Sequence, residues 1–330
     1  MLSRADFFSG RGERPFTPQR PRWAGLVAGL SVLAAFTVEF SPAAPPRPTP
    51  QEVRAKYAAV TPDVGSRGEL AVYAGPTDEP AVDCGGLLGP RTMIALVLGQ
   101  SNASNTVDPG YAATRPVYAY AGGTCHRVRD AVPGATGDKG SSWTRLGDRV
   151  VASGLYDAVI FADIARGGSS ILHWGPGGQL NALLTETLDT LAAKDMRPTH
   201  VLFHQGEADC ARGLSREEYG VMLEAVLGDI RAHGGQDSDI FVSRASLYLD
   251  PACGDRHDPA CYAACPAITA AQTQAADPDR RVYRGPNTDL LVPWFDRNDG
   301  YHFTAQAADR FAEAWMPLLA RDGRKARPSN

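Results

Sequence analysis

The 330-residue sequence lacks an excess of charge of either sign: 33 Lys and Arg stand against 37 Asp and Glu, a formal net charge of −4. That excludes a polybasic nucleic-acid binder, and the 43% hydrophobic content excludes an intrinsically disordered chain. Internal repeats are missing, as is any low-complexity tract outside one proline-rich stretch. Close cysteine pairs are missing too. Zinc sites usually draw on Cys-x-x-Cys pairs, whereas Cys253, Cys261 and Cys265 leave seven and three residues between them, so a metal set of these three with His257 fits poorly.

What is present is unevenly spread. Much of the excess among the 25 prolines falls before residue 52, which suggests a tail followed by one large domain. Residues 1–22 carry five arginines against Asp6 and Glu13, and Trp23 to Val38 then runs without a charge. This is the order of an export signal or a membrane anchor. As a helix the sixteen apolar residues would span about 24 Å, short of a bilayer core but longer than most signal-peptide apolar regions. The basic flank is N-terminal, so the remainder is expected outside the cytoplasm. Any contact with a membrane runs through this segment alone. Residues 1–40 are thus read as signal or anchor, 41–51 as a polyproline-type linker, 52–89 as a lead-in, 90–322 as the main domain and 323–330 as a polar tail. Export gives the even cysteine count a meaning. Cys84, Cys125, Cys210, Cys253, Cys261 and Cys265 can pair as disulfides, in any of fifteen ways.

From residue 90 short apolar runs alternate with amphipathic stretches, the signature of an α/β fold with a mainly parallel sheet. Strands are predicted at 93–98, 158–162, 200–203 and 239–242, each too short for a helix and rich in β-formers. Ser215 and Glu218 form a capping box ahead of a helix to about His233, with Met222, Val226 and Ile230 on one face. A last helix from about Thr304 puts Ala308, Phe311, Trp315 and Leu318 on one face.

Ligands of open parallel sheets bind at the carboxyl ends of strands. Three such ends here are unusually polar: Gly99-Gln100-Ser101-Asn102, Arg166-Gly167-Gly168-Ser169-Ser170 and His204-Gln205-Gly206-Glu207-Ala208-Asp209. A fourth polar segment, Asp299-Gly300-Tyr301-His302, precedes the last helix. A serine on a strand-to-helix turn projects its oxygen beside free backbone N–H groups, so Ser101 is a candidate nucleophile. His302 is the candidate base, with Asp299 fixing its tautomer. The oxyanion would be met by the Ser101 N–H, a glycine N–H at Gly168 or Gly167, and the side-chain amide of Gln205. Singly, each residue has a plainer use: Ser101 and Asn102 could cap a helix, the glycines could make a turn, and Glu207 and Asp209 could be solvated loop acids. Their co-occurrence at ends that one cleft could collect argues for chemistry.

In their order, Gly99-Gln-Ser-Asn102, Gly167-Gly-Ser-Ser-Ile171 with Trp174, Gln205-Gly-Glu207 with Asp209, and Asp299-x-x-His302 resemble the blocks of the SGNH-type hydrolases, sialate O-acetylesterase and carbohydrate-esterase branch. The resemblance spans about residues 93 to 315, and Ile268-Thr-Ala-Ala-Gln272 is similar to a helix start common there. It implies a flavodoxin-like three-layer α/β/α sandwich, Ser101 as nucleophile, His302 as base and Asp299 as its partner. Gly168 and Gln205 would complete the oxyanion hole. It also implies removal of acetyl groups from sugar hydroxyls with no metal or organic cofactor, so the expected partner is an O-acetylated carbohydrate. Gln100, Asn102, His204, Glu207, Asp209 and Trp174 would contact or support the substrate. Two positions depart from the pattern: His204 stands where an aromatic such as Trp is usual, which bears on pocket shape, and Ser169 replaces Thr. The segment Cys253 to Cys265 lies outside the pattern and is expected to shape the cleft.

Other readings use the same residues. A Gly-x-Ser-x-Gly elbow is disfavoured because Ala103 occupies its fifth position and the acid and base sit three residues apart. A sugar O-acetyltransferase would share the nucleophile, and a glycan-binding module would have no need of intact Ser101, Asp299, His302 and Gln205.

Overall fold

A computed structural model describes residues 46–65, 71–75 and 80–321. The apolar segment 23–38, the spacer residues 41–45 and the tail 323–330 lie outside the described residues, and with them the expected signal or anchor. Among the described residues no helix is long and apolar enough to cross a membrane.

Helix α1 (Pro50–Tyr57) starts inside the stretch read as linker, which corrects that boundary. The reason is local. Thr49 and Glu52 form a capping box, and Pro50 takes the first helical position, where a missing N–H is no loss. The lead-in that follows belongs to the main core: Val53 and Tyr57 are buried with Cys84 in it, and Tyr57 Oη donates to Glu218 Oε2 at 2.9 Å.

The strands are β1 (Thr92–Gly99), β2 (Val117–Ala121), β3 (Thr124–Arg127), β4 (Ala158–Asp163), β5 (His200–His204), β6 (Asp239–Arg244), β7 (Tyr248–Leu249), β8 (Tyr262–Ala263) and β9 (Val282–Asn287). The further helices are α2 (Ser142–Ala152), α3 (Ile171–Trp174), α4 (Asn181–Ala193), α5 (Glu207–Arg212), α6 (Arg216–Ala232), α7 (Pro266–Gln274), α8 (Thr288–Leu291) and α9 (Ala305–Arg321). One sheet runs in the order β3-β2-β4-β1-β5-β6-β9, parallel except for β3 against β2, while β7 and β8 form a separate small hairpin.

Alternation along β1 divides the core in two. Ile94, Leu96 and Leu98 join a cluster with Leu184, Met222, Val226, Ile230 and Ile268 of α4, α6 and α7. Met93, Ala95 and Val97 join the other, with Trp143 of α2 and Phe311 and Trp315 of α9. Helices therefore cover both faces, giving three α/β/α layers and a β1 that is buried at all eight positions. The capping box at Ser215 and Glu218 starts α6. On α9 the buried position is Leu319 rather than Leu318, which is half-buried, because the row from Phe311 through Trp315 continues four residues on.

All six cysteines pair. Cys84–Cys125 ties the lead-in to β3, Cys210–Cys265 ties α5 to the start of α7, and Cys253–Cys261 closes the insert between β7 and β8. The rival metal set thus has its three sulfurs in disulfides.

Candidate active site

After β1 the chain passes first to β2 and β4 on one side and then to β5 on the other, so the carboxyl end of β1 lies at a switch point of the sheet. Gly99 makes the exit. Its φ is +145°, and a Cβ there would lie 1.9 Å from the His204 carbonyl oxygen, so only glycine lets β1 and β5 end side by side. Gln100 N–H donates to that same oxygen at 3.1 Å. Ser101 then opens a single 3-10 turn. Its carbonyl accepts from Ser104 N, Ser104 Oγ and Thr106 Oγ1 at 3.0, 2.9 and 2.9 Å, which pins the backbone and leaves the side chain half-buried.

The segment after β4 folds over this turn. A Cβ on Gly167 would lie 3.9 Å from Ser101 Cβ. Gly167 N–H donates to Thr136 Oγ1 at 2.8 Å and is therefore spent, while Gly168, exposed and with φ at +67°, donates its N–H to no acceptor among the described residues. Ser169 Oγ donates to Gly99 O and accepts from Trp174 Nε1, both at 3.0 Å. Trp174 is wholly buried, so it supports the turn and does not face substrate.

Behind β5 stands a buried polar knot. Asp209 accepts from Ile171 N–H at 2.9 Å and from Ser170 Oγ and Gln205 Nε2, although burial raises its carboxyl pKa. Gln205 is 0% exposed, and its amide donors face Asp209, Ser169 O and Gln100 Oε1 while its oxygen accepts from Tyr219 Oη. The expected oxyanion role for Gln205 is corrected here: a buried carboxylate holds the amide, which braces the wall. Gln100 is likewise internal, its Oε1 accepting from Ala208 N–H at 3.1 Å. His204 is fully buried, edge-on to Phe303 and Phe311, with burial lowering its pKa and Nε2 3.1 Å from Thr288 Oγ1. It fills an aromatic slot behind the site and does not line the pocket.

Asp299 and His302 form one hydrogen-bonded unit. His302 Nδ1 lies 2.6 Å from Asp299 Oδ2, and since a carboxylate only accepts, Nδ1 carries the proton and Nε2 is left as the basic nitrogen. Asp299 Oδ1 accepts the Tyr301 and His302 N–H groups, each at 2.9 Å. Partial burial pushes the Asp299 carboxyl up, but the bond to His302 and its charge, with these two N–H groups, hold it well below the usual carboxylate range.

Asn102 connects this unit to the Ser101 turn. Its Oδ1 accepts Phe303 N–H at 3.2 Å, and its Nδ2 donates to Tyr301 O at 3.2 Å and to Glu207 Oε1 at 3.0 Å. Both neighbours of His302 are thus bonded to the residue after Ser101. Glu207 is buried and serves this clamp. Among the described residues no hydrogen bond joins Ser101 Oγ to His302. Arg297, which the sequence reading passed over, is buried beneath the loop: Nη1 donates to Tyr301 O at 2.8 Å and the guanidinium lies over the Phe303 ring at 5.2 Å. Thr136 and Tyr219 were also missed, and no short motif marks any of the three. A half-exposed serine beside free N–H groups, near an oriented imidazole, is an arrangement suited to acyl transfer.

Part of the chain matches a known family. Residues 148–255 match the model of a family described as carbohydrate esterase, sialic acid-specific acetylesterase. That stretch contains the second and third polar blocks, while Ser101, Asp299 and His302 flank it. No curated protein matches the chain by sequence. Among solved structures, a protein from Arabidopsis thaliana shares the fold, with a TM-score of 0.55 at 15% identity over 71% of this chain and 99% of that one. A carbohydrate acetylesterase from Xanthomonas citri is similar at TM-score 0.45 and 14% identity, covering 69% of this chain and 56% of that one. A family 3 carbohydrate esterase from Clostridium thermocellum follows at TM-score 0.43 and 14% identity, covering 70% and 98%.

Proposed function

We propose that the chain is an exported serine esterase of the SGNH type, sialate O-acetylesterase branch, that removes O-acetyl groups from carbohydrate, a reading supported by the match of residues 148–255 to the sialic acid-specific acetylesterase family. The observation that carries this reading is the Asp299–His302 pair fastened through Asn102 to the turn that bears Ser101.

Ser101 Oγ attacks the acetyl carbonyl carbon while His302 Nε2 takes the hydroxyl proton. Asp299 holds Nδ1–H and stabilises the imidazolium. The carbonyl oxygen, now an oxyanion, is met by the Ser101 and Gly168 N–H groups, each such donor contributing on the order of 3 kcal/mol. The tetrahedral intermediate collapses, the C–O bond to the sugar breaks, and His302 returns the proton to the departing sugar oxygen. Water then repeats the sequence on the acetyl-enzyme, releasing acetate and restoring Ser101.

Export is supported by the three disulfides, which persist in oxidising compartments. Residues 90–322 form the catalytic domain in this reading, with α1 and the lead-in packed onto it. The test is acetate release from a panel of O-acetylated glycans by the purified protein. Ser101→Ala is expected to reduce the rate by on the order of 10³-fold or more; a variant that retains the wild-type rate would overturn the proposal.

A further inference from the structure

In the mechanism above, His302 hands its proton to the departing sugar oxygen, so that sugar lies on the His302 side of the site. What stands on that side is aromatic. Tyr301 adjoins His302, with ring centroids 6.4 Å apart, and is 39% exposed. Gly300 presses against the insert: a Cβ there would meet Leu249 Cδ2 at 2.6 Å and Tyr262 Oη at 3.1 Å. Tyr262 leads to Trp294 at 5.9 Å and Trp294 to Phe295 at 5.7 Å, and Phe295 is 65% exposed. Exposed large aromatics in one patch mark binding surfaces.

The patch is also held in position. Tyr262 sits on β8, its hydroxyl donates to Arg256 O at 3.0 Å, and the Cys253–Cys261 bond closes the loop that carries Arg256. Its surroundings are polar: Arg256 is exposed beside Gly300 and Tyr262. A pyranose matches this combination, since it offers an apolar C–H face to stack on π-systems and a rim of hydroxyls for the polar edge. A lipid chain would need an enclosed apolar channel instead.

We propose that Tyr262, Trp294, Phe295 and Tyr301 form a sugar-ring subsite that holds the leaving glycan, so that the preferred substrate is an oligosaccharide or polysaccharide ester. The inference rests on the esterase reading, because His302 as proton donor is what assigns the sugar to this side.

Two measurements test it separately from that reading. The first needs no ester: emission of Trp294 is followed while unacetylated xylo-, manno- and sialyl-oligosaccharides are titrated into the full chain. At least one is expected to give a saturable change that Trp294→Phe removes and Trp23→Phe leaves in place, since Trp143, Trp174 and Trp315 are buried. The second compares kcat/KM for an O-acetylated oligosaccharide with that for ethyl acetate. Phe295→Ala is expected to lower the ratio about tenfold, through KM for the glycan ester, and Phe295→Tyr to restore it. Ester hydrolysis with no emission change and an unaltered ratio overturns the subsite and leaves the esterase standing. Saturable emission changes in a protein that hydrolyses neither ester overturn the esterase and leave a glycan-binding surface.

Discussion

The Phe303 N–H donates to the side-chain oxygen of Asn102 at 3.2 Å, joining residues 201 positions apart. With Nδ2 on Tyr301 O and on Glu207, this single amide fastens the loop of His302, the proposed base, to the Ser101 turn. Asn102→Ala removes three buried bonds, one of them to a carboxylate, and is expected to destabilise the protein by about 2–4 kcal/mol. It should also reduce kcat by about 10²-fold, because a misplaced base is costly even when all reacting groups remain. Urea unfolding together with acetate release checks both; a variant with wild-type kcat would sink the clamp.

Asp299→Asn keeps the shape but turns an acceptor into a group that can hold the wrong tautomer of His302. The expected loss is in kcat, on the order of 10³–10⁴-fold. Because the native Asp299 carboxyl lies well below the usual range, its contribution to stability is present above the unfolded value, about 3.9, and is lost only as pH falls below it. The acid limb of the wild-type pH–rate profile therefore cannot be the protonation of Asp299. A profile whose acid limb moves to lower pH in Asp299→Asn while kcat is kept would contradict this assignment.

Asp163, at the carboxyl end of β4, is 1% exposed, and burial pushes its carboxyl up to about 8, against the Ala165 N–H bond and the charge of Arg166. Asp130 is raised to about 6, again by burial. An acid whose folded pKa exceeds its unfolded value binds its proton more tightly in the fold, so stability falls as pH rises from about 4 to about 8. Asp163→Asn, which can still accept from Ala165, should flatten that fall. Melting temperatures at pH 5 and pH 8.5 are expected to differ less in the variant, by about 5 °C. An identical slope in both proteins would refute the assignment.

The Cys210–Cys265 bond closes a sequence separation of 55 residues, for which chain entropy allows about 4 kcal/mol. Replacing both cysteines with serine is expected to lower stability by about 2–4 kcal/mol, read as a shift in the urea midpoint. An unchanged midpoint would show that the packing of α5 against the insert suffices without the bond.

Strand runs such as Met93 to Leu98 and Ala158 to Ala162 were legible because they are buried on both faces and hence uniformly apolar. The strands β2, β3 and β9 were not. β2 and β3 meet at Gly122-Gly123, and β9 carries Gly285-Pro286, so these peripheral elements lack an unbroken apolar run although the sheet pairs them. The four polar blocks were legible for a related reason, since each follows a strand or precedes a helix at a recognisable breakpoint. The partners of Gln205 were not, because the acid that captures its amide lies one helical turn away and becomes buried only when α3 folds over it. Asn102 depends on contacts between the Ser101 turn and a loop some two hundred residues on, and Arg297 on the folding of that loop over its guanidinium, which no local pattern announces.

The disulfide between Cys210 and Cys265 joins the helix that carries Glu207 and Asp209 to the far end of the insert that bears Tyr262. The surroundings of the protein are thereby written into its selectivity. In a reducing medium the serine and its base keep their scaffold of strands, while the aromatic surface loses two of its moorings. If the proposed activity holds, reduction would lower turnover of long glycan esters more than that of small esters, because two of the three bonds flank the insert that bears Tyr262.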